Sequence, residues 1–152
     1  MSHVRFIPIL LLAAAITAHA ADKGTATRTE HDLLGEKQVP AAAYYGVQTA
    51  RALENFQFSN TNMNTYPEFV DGFVIVKLAA ARANTKVGAM KPDRLAAIEK
   101  AYTAIREGKY RDQFPVDWYQ GGAGTSANMN VNEVMANVGL ELTGHKKGEY
   151  KY

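Results

Sequence analysis

The residue types best suited to chemistry lie in one run, Gly121-Gly122-Ala123-Gly124-Thr125-Ser126-Ala127-Asn128-Met129-Asn130-Val131-Asn132-Glu133. A glycine-rich turn leads into a segment with helical apolar spacing. Glycine lets backbone N–H groups approach a ligand closely. Thr125 and Ser126 are types that cap a helix start, an end with unpaired N–H groups and partial positive charge. Such a start takes small anions, carboxylates and phosphates above all. No Gly-Lys-Ser/Thr follows, so the turn is not a Walker loop. The Gly-x-Gly-x-x-Gly fingerprint of dinucleotide sites is also absent.

The helix that follows carries Asn128, Asn130, Asn132 and Asn137, all poor helix formers. Asn128 and Asn132 share one face, as do Asn130, Glu133 and Asn137. A buried polar network is one account, because Asn offers both donors and acceptors. A solvated face with capping is the other. Glu133, two turns into the helix, reads as structural.

The elements that must position this run are legible in the spacing. Three main helices are predicted, near Glu68–Val87, Asp93–Glu107 and Ser126–Thr143, with little strand. In the first, Phe69, Phe73, Val76, Ala80, Ala83 and Val87 recur at steps of four and three and form the expected apolar stripe. Leu95, Ile98, Tyr102 and Ile105 mark the second, and Val131, Met135, Val138 and Leu142 the third. Thr49–Phe56 is a further helical turn, and Ser59–Tyr66 a polar loop. Gln38-Val39 is expected to pair back on Arg28–Glu30 as a short hairpin around Gly35. Phe114-Pro115-Val116-Asp117-Trp118 reads as a buried connector.

Composition bounds the rest. The chain has 152 residues and no cysteine, enough for one domain with a core and without disulfide or thiolate chemistry. Residues 1–20 have the form of a secretory signal: Arg5, an apolar core Phe6–Ile16, and Ala18-His19-Ala20 as cleavage site. An uncleaved anchor is the alternative, although the run is short for a span. Cleavage after Ala20 predicts a periplasmic or secreted protein with a flexible stretch 21–27 and a domain over 28–152. Removing one of the 17 basic residues and none of the 15 acidic ones leaves a net charge of +1. Nothing in that balance points to nucleic acid, or to a membrane once the signal is gone.

Several separated blocks carry a resemblance. Asp112-Gln113-Phe114-Pro115-Val116-Asp117 runs through Tyr119-Gln120 and the glycine-rich turn into Asn128–Val134. Glu30-His31-Asp32-Leu33-Leu34-Gly35, Val39-Pro40-Ala41, Tyr44–Thr49 and Leu53-Glu54-Asn55-Phe56 precede it in order. Together, from about Arg28 to Tyr152, they resemble the N-terminal domain of the aspartate ammonia-lyase family, in the fumarase/aspartase superfamily. Class II fumarases are the nearest alternative. They share the Asn-Met-Asn helix but read Gly-Ser-Gly-Thr-Gln at the turn, where this chain has Ala123 and Ser126.

The resemblance implies a mainly α fold with a short β-hairpin near its start, the family's central helical bundle being absent. It implies elimination of ammonia from L-aspartate to give fumarate, with no cofactor and no metal, in a homotetramer formed by the complete family chain. Thr125 is then expected to contact the substrate, with Gly124 shaping the turn, Asn128 supporting the site and Arg51 gripping a carboxylate. The other accounts are a plain N-cap for Thr125 and a surface ion pair for Arg51. The family's Gly-Ser-Ser-x-Met-Pro-x-Lys-x-Asn-Pro loop, which carries its serine base, has no match in this sequence. His31 and His145 do not match the family's catalytic histidine. The expectation is an incomplete lyase chain, inactive alone, or a non-catalytic remnant that binds a partner. Without the bundle, the third helix is expected to expose an apolar patch, leaving the chain marginally stable or self-associating.

Overall fold

The computed structural model describes residues 26–151. The expected signal segment 1–20, and all but the last two residues of the stretch 21–27, lie outside the described residues. Strands β1 (Thr27–Asp32) and β2 (Gly35–Pro40) form an antiparallel hairpin with Arg28 opposite Val39 and Thr29 opposite Gln38. This is the expected pairing. It extends outward, since the Ala41 N–H donates to the Ala26 carbonyl at 2.7 Å. Thr27 is therefore strand rather than flexible lead-in.

Four helices follow: α1 (Val47–Asn55), α2 (Pro67–Lys86), α3 (Pro92–Arg106) and α4 (Thr125–Leu142). Both α2 and α3 open on proline, whose missing N–H has no intrahelical acceptor to lose at that position. Glu68 and Asp93 in the first turns, with Lys86 and Arg106 in the last, complement the helix dipoles. The fold is mainly α with one hairpin, as the sequence implied.

The centre of the packing is α4. Ala127, Asn130, Val131, Glu133, Val134, Met135, Asn137, Val138, Gly139 and Leu140 are all buried. Val70 and Val74 of α2, Ile105 of α3, Met63 and the connector residues Phe114 and Val116 close on it as one core. Each such side chain contributes roughly 1.5–3 kcal/mol by leaving water. The connector is buried as expected except at its end. Trp118 is partly exposed and stacks against Tyr66 and Phe69 at ring distances of 4.6 and 4.9 Å.

Two apolar faces differ from expectation. The buried stripe of α2 is Val70, Val74, Leu78 and Ala81, one position around from the expected one. Phe69 is 40% exposed, Val76 63% and Val87 76%, while Ala80 and Ala83 also face outward. The helix is apolar on two sides, and periodicity cannot say which side meets the core. The uncovered patch expected on the third helix is correspondingly misplaced. The third helix is α4, buried around most of its girth, and only Leu142 of its predicted stripe is exposed. The exposed apolar face belongs to α2.

Candidate functional site

Two helix starts in this fold are treated in opposite ways. At α1, protein carboxylates fill the first turn. Glu133 reaches from α4 and accepts from the N–H groups of Gly46, Gln48 and Thr49 at 2.9, 2.7 and 3.1 Å, and from the Thr49 hydroxyl at 2.7 Å. Glu30 reaches from β1 and accepts from Val47 N–H at 3.0 Å. The donors left over by helix geometry are thus satisfied, and two negative charges sit at the positive end of the dipole. Two carboxylates fit there because residue 46 has no side chain. A Cβ at Gly46 would lie 2.5 Å from Glu30 Oε2, 2.8 Å from the Tyr150 hydroxyl and 2.9 Å from Glu133 Oε1.

The start of α4 is left open. Gly124 precedes the helix with φ 80° and ψ 19°, a left-handed geometry that favours glycine, and makes no side-chain cap. Thr125 is therefore the first helical residue and not the cap, which corrects one of the two accounts given from sequence. The cap comes from Gln120, whose Oε1 accepts from Ala127 N–H at 2.7 Å. Asn128 N–H closes the first turn on the Gly124 carbonyl at 3.0 Å. The Thr125 and Ser126 hydroxyls have no hydrogen-bond partner among the described residues, and their N–H groups belong to the turn that has no intrahelical acceptor.

The open turn is held rigidly from behind. Asp117 accepts from the N–H groups of Phe58, Ser59 and Tyr119 at 2.8, 2.8 and 2.7 Å and from the Ser59 hydroxyl at 2.8 Å. Gln120 donates to the Asp117 carbonyl at 3.2 Å while capping α4. The Ser59 N–H, ahead of the Ser59 hydroxyl and the N–H groups of Tyr119 and Phe58, pulls the Asp117 carboxyl down to about 2, against the effect of desolvation. A carboxyl depressed in the folded state adds stability that is fully present above its unfolded value near 3.8 and is lost as pH falls towards 2. Acid unfolding followed by circular dichroism should lose stability between about pH 4 and 2, and Asp117→Asn should flatten that loss. An unchanged acid limb would show that this carboxylate does not anchor the turn.

The asparagines divide as a network. Asn137 donates to the Tyr44 carbonyl at 2.8 Å and to the Tyr150 hydroxyl at 2.9 Å, and accepts from Gly148 N–H at 2.8 Å. Asn130 donates to the Gln113 carbonyl at 3.0 Å. Both are fully buried. For Asn130 and Asn137, though not for Asn128 and Asn132, the structure selects the polar network, with Glu133 in the structural role expected of it. Asn128 faces elsewhere, and its Oδ1 accepts from Lys77 Nζ of α2.

Of the expected site residues, Gly124, Thr125 and Asn128 come together at the open turn. Arg51 does not join them. Its guanidinium makes the anticipated two-pronged carboxylate pair, but with Asp32 of the hairpin, at 3.0 and 2.9 Å, and it also donates to the Gly35 carbonyl at 3.0 Å. That pairing holds the Asp32 carboxyl below the usual carboxylate range and raises Arg51. Sequence reasoning missed Gln120 and Lys77. A glutamine before a glycine turn carries no capping signal, and Lys77 is set beside Asn128 only by helix packing.

Comparison with known proteins places the chain in a family. The sequence pattern of the family described as Lyase matches residues 35–151. The aspartate ammonia-lyase of Escherichia coli (strain K12) is 58% identical over 126 residues, which are 82% of this chain and 26% of that protein. Among solved structures, a Brucella melitensis protein titled fumarate lyase:delta crystallin superposes with a TM-score of 0.81 at 48% identity, covering 83% of this chain and 29% of that one. A class II fumarase from Schistosoma mansoni superposes at 0.75 with 36% identity, covering 81% of this chain and 26% of that one. The chain spans about a quarter of the length of the curated relatives it matches.

Proposed function

The chain belongs to the lyase family whose pattern spans residues 35–151, and from that premise we propose that it forms the substrate-carboxylate wall of an aspartate ammonia-lyase. The observation that carries the reading is the open first turn of α4 beside the sealed first turn of α1. Carboxylates from Glu133 and Glu30 satisfy one helix start, and the other offers the same kind of donors with no carboxylate bonded to them among the described residues. A substrate carboxylate supplies the missing acceptor.

Elimination of ammonia begins with loss of the proton on the carbon next to the side-chain carboxylate. Negative charge then builds on that carboxylate. Fixed donors aimed at it stabilise the transition state without reorganisation. In this reading Thr125 N–H and hydroxyl, with Ser126 N–H and hydroxyl beside them, act as those donors, and Gly124 gives the turn its shape. The base is expected from outside the wall, on the family's serine loop, because the wall's own hydroxyls have no partner among the described residues to activate them. Similarity to aspartate ammonia-lyases at 58% identity, against 36% to the class II fumarase, supports aspartate over malate. The homotetramer and an absence of organic cofactor are part of the same reading.

The test follows fumarate absorbance after addition of L-aspartate. The 152-residue chain alone is expected to give none. Fused in place of the matching quarter of the Escherichia coli relative, it is expected to turn over L-aspartate and not L-malate. In that fusion Thr125→Ala should lower kcat/KM by roughly tenfold or more, through loss of a hydrogen bond to a charged group. Fumarate from the short chain alone would place the base within it. An unaffected Thr125→Ala enzyme would remove the turn from the site.

Export belongs to the same proposal. Cleavage after Ala20 would deliver this wall to the periplasm or the medium. N-terminal sequencing of the mature protein is expected to begin at Ala21, and a product beginning at Met1 or Ser2 would overturn it.

A further inference from the structure

We propose that Lys77 is a positioning residue for the substrate: it fixes the Asn128 side-chain amide so that its NH2 group donates to a substrate carboxylate. The proposal deepens, and rests on, the reading of the α4 start as a carboxylate site.

Lys77 Nζ donates to Asn128 Oδ1 across the α2–α4 contact. An ammonium group has donors only, so the amide atom facing it must be the oxygen. Fixing the oxygen fixes the NH2 group at the other arm of the planar amide. That NH2 group has no acceptor among the described residues. Thr125 lies three residues earlier and so on the same helix face. The face therefore carries hydroxyl and amide donors. An Asn128 free to rotate would instead present its carbonyl oxygen, which repels a carboxylate.

The charge of Lys77 is also unspent. Arg28, Lys37, Arg51, Arg82, Arg106, Lys109 and Arg111 each pair with a carboxylate. Lys77 pairs with none among the described residues, and its partner is a neutral amide. It stands with Asn128 in a groove of about 430 Å³ whose other walls are Phe69, Gly72, Phe73 and Val76, with Glu68 at one side. Lys77 thus adds to the positive potential of the α4 start and orders its most adaptable donor.

The test uses the fusion with the Escherichia coli relative, with wild-type turnover of L-aspartate as the reference. Lys77→Met is expected to raise KM for L-aspartate about tenfold or more while changing kcat much less, because the amide contacts the carboxylate in ground and transition states alike. Lys77→Arg, again a donors-only cation, should restore most of the affinity. A purely structural lysine would not give this KM-against-kcat split with rescue. Should Lys77→Met fail to fold, Asn128→Asp takes its place: it keeps the contact with Lys77, removes the donor, and should raise KM similarly. Wild-type turnover with unchanged KM in Lys77→Met, or in Asn128→Asp, overturns the proposal and leaves the carboxylate site standing. No turnover of L-aspartate by the wild-type fusion overturns both.

Discussion

Glu133→Ala should lower the thermal midpoint of the chain by more than 10 °C, or prevent folding altogether. The carboxylate accepts four hydrogen bonds from the first turn of α1 and its flanking residue. Removing it leaves the N–H groups of Gly46, Gln48 and Thr49 and the Thr49 hydroxyl without their acceptor in a buried place. Losing an ordinary N-cap costs about 0.5–2 kcal/mol, and a hydrogen bond to a charged group is worth about 1.5–3 kcal/mol. The four bonds share one side chain and do not add fully, so about 3–5 kcal/mol is expected. At about 4 °C per kcal/mol for a domain of this size, that is a drop of roughly 12–20 °C. Glu133→Gln keeps one acceptor oxygen and should lose less. Thermal unfolding by circular dichroism decides it, and a midpoint within a degree or two of wild type would mean that α1 does not depend on this cap.

The second large effect is expected at Gly46, for the opposite reason: addition rather than removal. A methyl group there would sit 2.5 Å from Glu30 Oε2, with the Tyr150 hydroxyl and Glu133 Oε1 within 2.9 Å. None of the three can retreat freely. Glu30 is bonded to Arg28 at 2.8 Å and to Val47 N–H, and Tyr150 donates to Glu30 and accepts from Asn137. Gly46→Ala therefore has to push both glutamates off the helix start. Overpacking of this kind costs roughly 1–3 kcal/mol by itself, and loosened cap bonds add to it. Urea unfolding should show a lower midpoint, with an effect larger than Gly72→Ala, where a Cβ meets nothing within 4 Å. Equal midpoints for the two variants would contradict the close approach.

These two residues show how α4 serves fold and site at once. Its inner face anchors α1 through Glu133 and the C-terminal segment through Asn137. Its first turn stays rigid through Gln120 and Asp117 without using the donors of Thr125 and Ser126. In the role proposed for this turn, donors aimed at developing charge have to stay fixed, and the hydrogen bonds of Gln120 and Asp117 hold them from behind.

The sequence by itself determined which elements form, because their signals are local. Prolines at helix starts, glycines after helix ends and a 3.6-residue spacing set α2, α3 and α4 to within a residue or two of the expected bounds. The hairpin followed from the turn signal at Gly35. The glycine and hydroxyl turn at the start of α4 was legible too, since those residue types mark a helix start. The tertiary structure alone decided which faces turn inward and which partners meet. Val70, Val74 and Leu78, rather than Phe69 and Val76, line the buried face of α2, because an evenly apolar helix is oriented by its neighbours and not by its own period. Arg51 found Asp32, Glu133 found the start of α1, and Lys77 found Asn128, across separations of 19, 84 to 87 and 51 residues. A charged side chain fixes how strongly it will pair, but only the packed chain fixes with what, since desolvation makes the pairing depend on distances that no local sequence encodes.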